Sequence, residues 1–145
     1  MTTRVLFVCI HNSARSQMAE AFLKRHCSAR FEVQSAGIEP GVLNPVVVEV
    51  MRERGIDIAN NKTKSVASFL EKRVVFEYVI TVCDETSAER CPMFPGMTKR
   101  LHWGFPDPSS VRGPLSVKRE RTREIRDEIE KKIVQWCSEH CIARS

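Results

Sequence analysis

No apolar run in the sequence approaches the length needed to cross a membrane, and no signal peptide is expected, because the first four residues pass straight into a strand pattern. A cytoplasmic protein with no membrane partner is therefore expected. There is no internal repeat and no low-complexity tract, and 145 residues suffice for one domain with a real core, taken as 1–145. A basic stripe is also missing. The net charge is +5, but the basic residues are interleaved with acidic ones, which argues against nucleic acid and suits a small anionic ligand equally well. What is present is ordinary for a globular chain: 42% hydrophobic and 28% charged residues. The six cysteines are the exception. In a reducing compartment they are not expected to form a static disulfide framework, which leaves catalysis, redox exchange or metal binding.

One stretch concentrates the chemistry. Val5 to Val8 form an apolar strand that delivers Cys9 to its end, the polar turn His11-Asn12-Ser13 follows, and a helix begins near Arg15. The free N–H groups of such a turn and of the first helical turn converge on one point, which suits an oxyanion. Arg15 follows Cys9 with five residues between, so its guanidinium can grip two oxygens of an anion wrapped by residues Ile10, His11, Asn12, Ser13, Ala14, Arg15 and Ser16. The helix dipole and Arg15 both favour a thiolate at Cys9. Asn12 tolerates the left-handed backbone such a loop needs and can brace it from inside, and Ser16 can donate to the sulfur. The plainer alternative is a strand-to-helix turn carrying a buried cysteine and a surface arginine.

The rest of the chain alternates strand and helix. Ala14 to Cys27 reads as a helix with Met18, Ala21, Phe22 and Leu23 inward and Glu20, Lys24 and Arg25 outside, Cys27 being structural or incidental. Phe31 to Ala36 reads as a strand with Ser35 near its end, and Asn44-Pro45 as the start of a helix running to Arg54. Ile56 and Ile58 suggest a short extended piece, and Val66 to Lys72 a helix with Val66, Phe69 and Leu70 inward. Phe76 to Val82 reads as a second strongly apolar strand ending at Cys83. From Cys83 to Gly96 the pattern is that of a mobile segment with one or two helical turns. Arg100 to Trp103 reads as a last strand, and Gly104 to Pro114 as a proline-rich loop containing Asp107. A long final helix carries Ile125, Ile129, Ile133 and Trp136 inward and a solvated charged face from Lys118 to Lys132. About four strands with helical crossovers give an α/β fold: a four-stranded parallel sheet with helices on both faces. Ligands bind such sheets beyond the strands' C-terminal ends, where Cys9, Cys83 and Asp107 would gather.

Several segments together resemble the low-molecular-weight protein tyrosine phosphatase superfamily, and most closely its arsenate reductase branch. They are CIHNSARS from Cys9 to Ser16 with QMAEAF after it, SAG at Ser35 to Gly37, GIDI at Gly55 to Ile58, TVCD at Thr81 to Asp84, CPMFPG at Cys91 to Gly96 and HWGFPDP at His102 to Pro108. The resemblance implies that Cys9 attacks arsenate held by the loop amides and Arg15, with phosphate and sulfate as analogues, while Asp107 protonates the departing oxygen. It implies further that Cys83 attacks Cys9 to release arsenite and that Cys91 resolves the Cys9–Cys83 disulfide. The resulting Cys83–Cys91 disulfide would pass to thioredoxin, or to another thiol reductant such as glutaredoxin with glutathione. No cofactor is implied. Asn12 and Ser35 would brace the loop. Family members that bind a structural potassium ion use residues like Asn12, Glu20 and Ser35 and an Asp shortly after a Thr like Thr63. Lys64 and Ser65 follow here, so Lys64 or a water is expected in place of the ion. Cys83 and Cys91 are separated by seven residues, one more than in the best-known thioredoxin-coupled members.

Two rival readings are separated by further absences. A phosphatase of the same superfamily needs only Cys9, Arg15 and Asp107, but typical members carry aromatic residues after the Asp-Pro pair and often a second cysteine in the loop. Here Ser109-Ser110 and Ala14 stand at those places. A non-enzymatic metal- or metalloid-binding protein could use Cys137, His140 and Cys141, but these have no second ligand pair. Cys137 is expected in the packed stripe, and His140 and Cys141 in a frayed terminus. His11 is expected to orient the anion or to face solvent.

Overall fold

The computed structural model describes residues 2–142, with side chains placed for residues 2–140. Four strands, β1 (Thr3–Cys9), β2 (Phe31–Gly37), β3 (Tyr78–Thr81) and β4 (Lys99–His102), form one sheet in the order β2-β1-β3-β4. Every pairing is parallel. The central strand β1 is buried on both faces from Val5 to Cys9, which is why its sequence reads as a continuous apolar run instead of an alternation. β2 lies at an edge and does alternate over its first half.

Two core clusters cover the two faces. On one face Val5, Phe7 and Ile80 pack against α1 (Arg15–Cys27) and α5 (Leu115–Ile142), with Val47 and Met51 of α2 (Pro45–Arg52) completing the cluster. On the other face Leu6, Val8 and Val79 meet Val66 of α3 (Val66–Glu71), together with Phe76, Cys91 and Phe94. Asn44 caps α2 as its sequence suggests, its Oδ1 accepting from Val46 N at 2.9 Å with Pro45 at the first helical position. The α5 stripe of Ile125, Ile129, Ile133 and Trp136 is buried as its spacing suggests, with Cys137 beside it.

Several local expectations are corrected. Glu20 is buried rather than outside and Ala21 is only half-buried, because α1 turns its Glu20 side towards Ser35 of β2. Residues 56–58 form no strand: Asp57 accepts from Ala59 N at 2.9 Å and turns the chain there. β3 is shorter than the apolar run, since Phe76 leaves the ladder to stack edge-on with Phe69 and Phe94. Phe69 and Leu70 are half-buried where full burial was expected. The segment after Cys83 contains α4 (Glu85–Ala88), which buries none of its residues, yet Cys91 and Phe94 beyond it are anchored in the core.

The charged face of α5 is not uniformly solvated. Arg126 is buried, donating from Nη1 to Val50 O at 2.8 Å and to Glu53 Oε1 at 2.8 Å, so it satisfies a carbonyl of the last turn of α2. Arg119 and Arg123 reach Glu49 and Glu53 of the same helix segment at 2.7 and 2.9 Å. Three of the four arginines of α5 are thereby paired with this segment. Replacement Arg126→Met leaves the Val50 carbonyl unpaired in a buried place and is expected to cost about 1–3 kcal/mol. Urea denaturation monitored by circular dichroism should show a lower midpoint at unchanged slope.

Candidate active site

The loop from Cys9 to Arg15 owes its shape to where its carbonyls go. The carbonyls of Cys9, Ile10, His11 and Ser13 accept from the N–H groups of Ile38, Glu39, Gly41 and Asn44, at 2.8 to 3.1 Å. The segment after β2 thus draws the loop's acceptors outward. Asn12 N is left facing the sulfur, 3.2 Å from Cys9 Sγ, and the helix cap Ala14 brings no side chain to occupy the free N–H groups of α1. Gly37 permits the close approach. A Cβ there would lie 2.8 Å from both Ile10 O and Asn12 N, main-chain atoms that only a shift of the loop could relieve.

Asn12 has φ 56, the left-handed region that asparagine tolerates. Its buried side chain is fully engaged. Nδ2 donates to Ser16 Oγ at 2.8 Å and to Ser35 Oγ at 2.9 Å, and Oδ1 accepts from Gln17 Nε2 at 3.2 Å and Lys64 N at 2.9 Å. Because Ser16 Oγ accepts from Asn12, its own proton is free to point at Cys9 Sγ, 2.8 Å away. Ser35 in turn donates to Glu20 Oε1, which also faces Lys64 Nζ at 3.5 Å, while Lys24 pairs with Oε2. A cation of the chain itself therefore stands at the Glu20 carboxylate. Asn12 and Ser35, which the sequence singles out as loop support, and Ser16, singled out as a donor to the sulfur, meet here with Gln17, which no local pattern marks and whose partners Asn12 and Lys62 lie across the turn.

Arg15 is buried, with Nη1 donating to Phe105 O at 3.0 Å and Nη2 3.9 Å from Asp107 Oδ2. The loop carrying Asp107 is shaped by short bonds: Asp107 Oδ1 accepts from Ser109 N at 2.9 Å, Oδ2 from Ser110 Oγ at 3.1 Å, and Ser109 Oγ accepts from Asn44 Nδ2 at 2.9 Å. Asn44 N also donates to Ser13 O, so one residue ties the Asp107 loop to the Cys9 loop. Cys83 is fully buried in the same core cluster as Cys9. Burial pushes its thiol up to about 11, opposed by the charge of Arg15 and reinforced by that of Cys9. Cys9, Arg15, Cys83 and Asp107 are thus brought together at the C-terminal rim. Cys91 is not among them; it packs on the opposite face of the sheet.

His11 is exposed, and its Nδ1 donates to Glu39 O at 2.7 Å. His140 is not frayed. It donates from Nδ1 to Trp136 O at 2.9 Å and packs against Trp136, Phe31 and Tyr78, an aromatic cluster that no local pattern announces. The side chain of Cys141 lies outside the described residues. Among the described residues no group of three or more His, Cys, Asp or Glu side chains is placed to hold a metal ion, and no helix is long and apolar enough to cross a membrane.

A parallel sheet whose first strand ends in a buried cysteine under a main-chain donor, with an aspartate-bearing loop against a buried arginine, has the layout of a site for an oxyanion. The chain belongs to the low molecular weight phosphotyrosine protein phosphatase family, whose model matches residues 4–144. Among its relatives, an arsenate reductase of Bacillus licheniformis is 41% identical over 132 residues, covering 91% of this chain and 93% of that one. The crystal structure of an arsenate reductase from Archaeoglobus fulgidus superposes with TM-score 0.73 at 30% identity, over 92% of this chain and 98% of that chain. A thioredoxin-dependent arsenate reductase of Corynebacterium glutamicum gives 0.72 at 29% identity, over 98% of this chain and 63% of that chain.

Replacement Gly37→Ala must displace the Cys9 loop by its main chain, and a misplacement of that kind is expected to weaken arsenate binding by at least about 10-fold. Isothermal titration of the reduced protein measures it. Undiminished affinity would mean that the loop does not depend on this approach.

Proposed function

We propose that this chain is an arsenate reductase that works by a cascade of three cysteines. The observation that carries the reading is the burial of Cys83 in the same cluster as Cys9, within the field of Arg15. A phosphatase has no use for a second thiol there. In addition, Ser109 and Ser110, engaged with Asn44 and Asp107, stand where typical tyrosine phosphatases of the family carry the aromatic residues that flank a tyrosine ring. The relatives named above are arsenate reductases, which adds weight.

In the first step Cys9 attacks arsenic while Arg15 and the loop N–H groups hold the arsenate oxygens, and Asp107 donates a proton to the oxygen that departs as water. In the second, Cys83 attacks Cys9 Sγ; the sulfur–arsenic bond breaks, its electron pair stays on arsenic, and arsenite leaves with Cys9–Cys83 oxidised to a disulfide. Cys91 then attacks Cys83, freeing Cys9. An external dithiol, thioredoxin being the first candidate and glutaredoxin with glutathione the second, reduces Cys83–Cys91. α4 must yield for this to happen, and a four-residue helix with no buried side chain costs little to open.

One equivalent of arsenate should yield Cys83–Cys91 in the wild type, Cys9–Cys83 in Cys91→Ser, and neither in Cys83→Ser, as read by peptide mapping under non-reducing conditions. A thiol raised to about 11 is mostly protonated at neutrality, so a higher pH supplies more thiolate. Formation of Cys9–Cys83 in Cys91→Ser should therefore accelerate by up to about tenfold per pH unit between about 7 and 9. Asp107→Asn should slow the first step by about 100-fold or more while oxyanion binding persists, as rapid-quench arsenate turnover would register. Turnover of arsenate by Cys83→Ser at the wild-type rate would refute the cascade.

A further inference from the structure

Cys91 lies among Leu6 and Val8 of β1, Val79 of β3, Val66 of α3, Phe76 and Phe94, apolar neighbours that offer a thiolate nothing. Burial accordingly pushes its thiol up, and the charge of Arg100 opposes that shift. Among the described residues Arg100, held at the Cys91 carbonyl, is the charged group that acts on the thiol. Arg90, next in the chain, has turned its guanidinium to Glu39, and His102, on the same face of β4 as Arg100, is bonded to Thr81 at 2.8 Å. Arg100 also holds the segment directly. Its Nη2 donates to Cys91 O at 3.2 Å and its Nη1 to Met93 Sδ at 3.1 Å, so the fork spans the chain on either side of Pro92.

The two ends of the segment are therefore held differently. The Cys91 end is fixed by Arg100 to β4, by Arg90 to Glu39 and by Phe94 to the core, whereas α4 between the two cysteines buries nothing. We propose that Arg100 is a positioning residue for the resolving step: it pins Cys91 to β4 through the backbone and stands as the cation beside the sulfur when Cys91 attacks Cys83. In that step a bond forms between Cys91 and Cys83, the Cys9–Cys83 bond breaks, and Cys9 leaves as a thiolate received by Asn12 N and Ser16. The proton of Cys91 goes to solvent, and no net electrons move. The inference rests on the three-cysteine reading given above.

The test is a single turnover with one equivalent of arsenate, quenched with alkylating agent at successive times and mapped for Cys9–Cys83 and Cys83–Cys91, in wild type, Arg100→Gln and Arg100→Lys. Arg100→Gln should form Cys9–Cys83 at the wild-type rate, which also shows that the variant is folded, and convert it to Cys83–Cys91 about 10-fold more slowly, the scale of one charge acting on a thiol. The defect should shrink as pH rises from about 7 to 9, where solvent base supplies the missing thiolate, and Arg100→Lys should recover part of the rate. Conversion at the wild-type rate, an equal slowing of both steps, or a defect that pH does not relieve overturns the role of Arg100. A wild type that forms neither disulfide overturns the cascade itself, and this proposal with it.

Discussion

The left-handed turn at Asn12 is the constraint on which the site depends. A non-glycine residue at φ 56 costs about 1–2 kcal/mol relative to the right-handed form. Here the cost is offset by four hydrogen bonds at one side-chain amide, donated to Ser16 and Ser35 and accepted from Gln17 and Lys64, three of them buried and each worth about 0.5–1.5 kcal/mol net. The turn reverses the peptide so that its N–H meets the sulfur while the neighbouring carbonyls bond outward to residues 38–44. The path from Glu20 through Ser35 and Asn12 to Ser16 then ends at Cys9. A donor set fixed in this way suits the binding of an oxyanion, since no reorganisation is needed when charge arrives.

The sheet also divides the sulfur chemistry. Cys9 and Cys83 belong to the face covered by α1 and α5, whereas Cys91 belongs to the face covered by α3 and the 91–94 segment. Cys83 and Cys91 are both buried, and burial pushes both thiols up. A disulfide needs the two Cα atoms within about 7 Å. On the proposed cascade, the weakly held stretch between them is what permits their meeting, and its opening is the conformational step of the cycle.

Local chemistry was legible in the sequence where neighbours along the chain decide the outcome. The apolar strand into Cys9, the left-handed Asn12, the Asn44-Pro45 cap and the aliphatic stripe of α5 are all of this kind. Residues whose fate is set by distant partners were not. Glu20 reads as a surface residue until Ser35, 15 residues away, donates to its carboxylate, and Arg126 until it meets Glu53 at a separation of 73. His140 looked like chain end, but Tyr78, 62 residues distant, lies 3.3 Å from its Nε2. The placement of Cys91 on the far face was equally hidden, because the count of residues from Cys83 says nothing about which side of the sheet the chain returns to.

The most direct test of the account is whether arsenate, and not phosphate, draws electrons through the protein. Purified protein with thioredoxin, thioredoxin reductase and NADPH should oxidise one NADPH for each arsenite released on addition of arsenate, with no oxidation on addition of phosphate. Hydrolysis of an aryl phosphate without any arsenate-dependent NADPH oxidation, with either thioredoxin or glutathione and glutaredoxin as reductant, would contradict it.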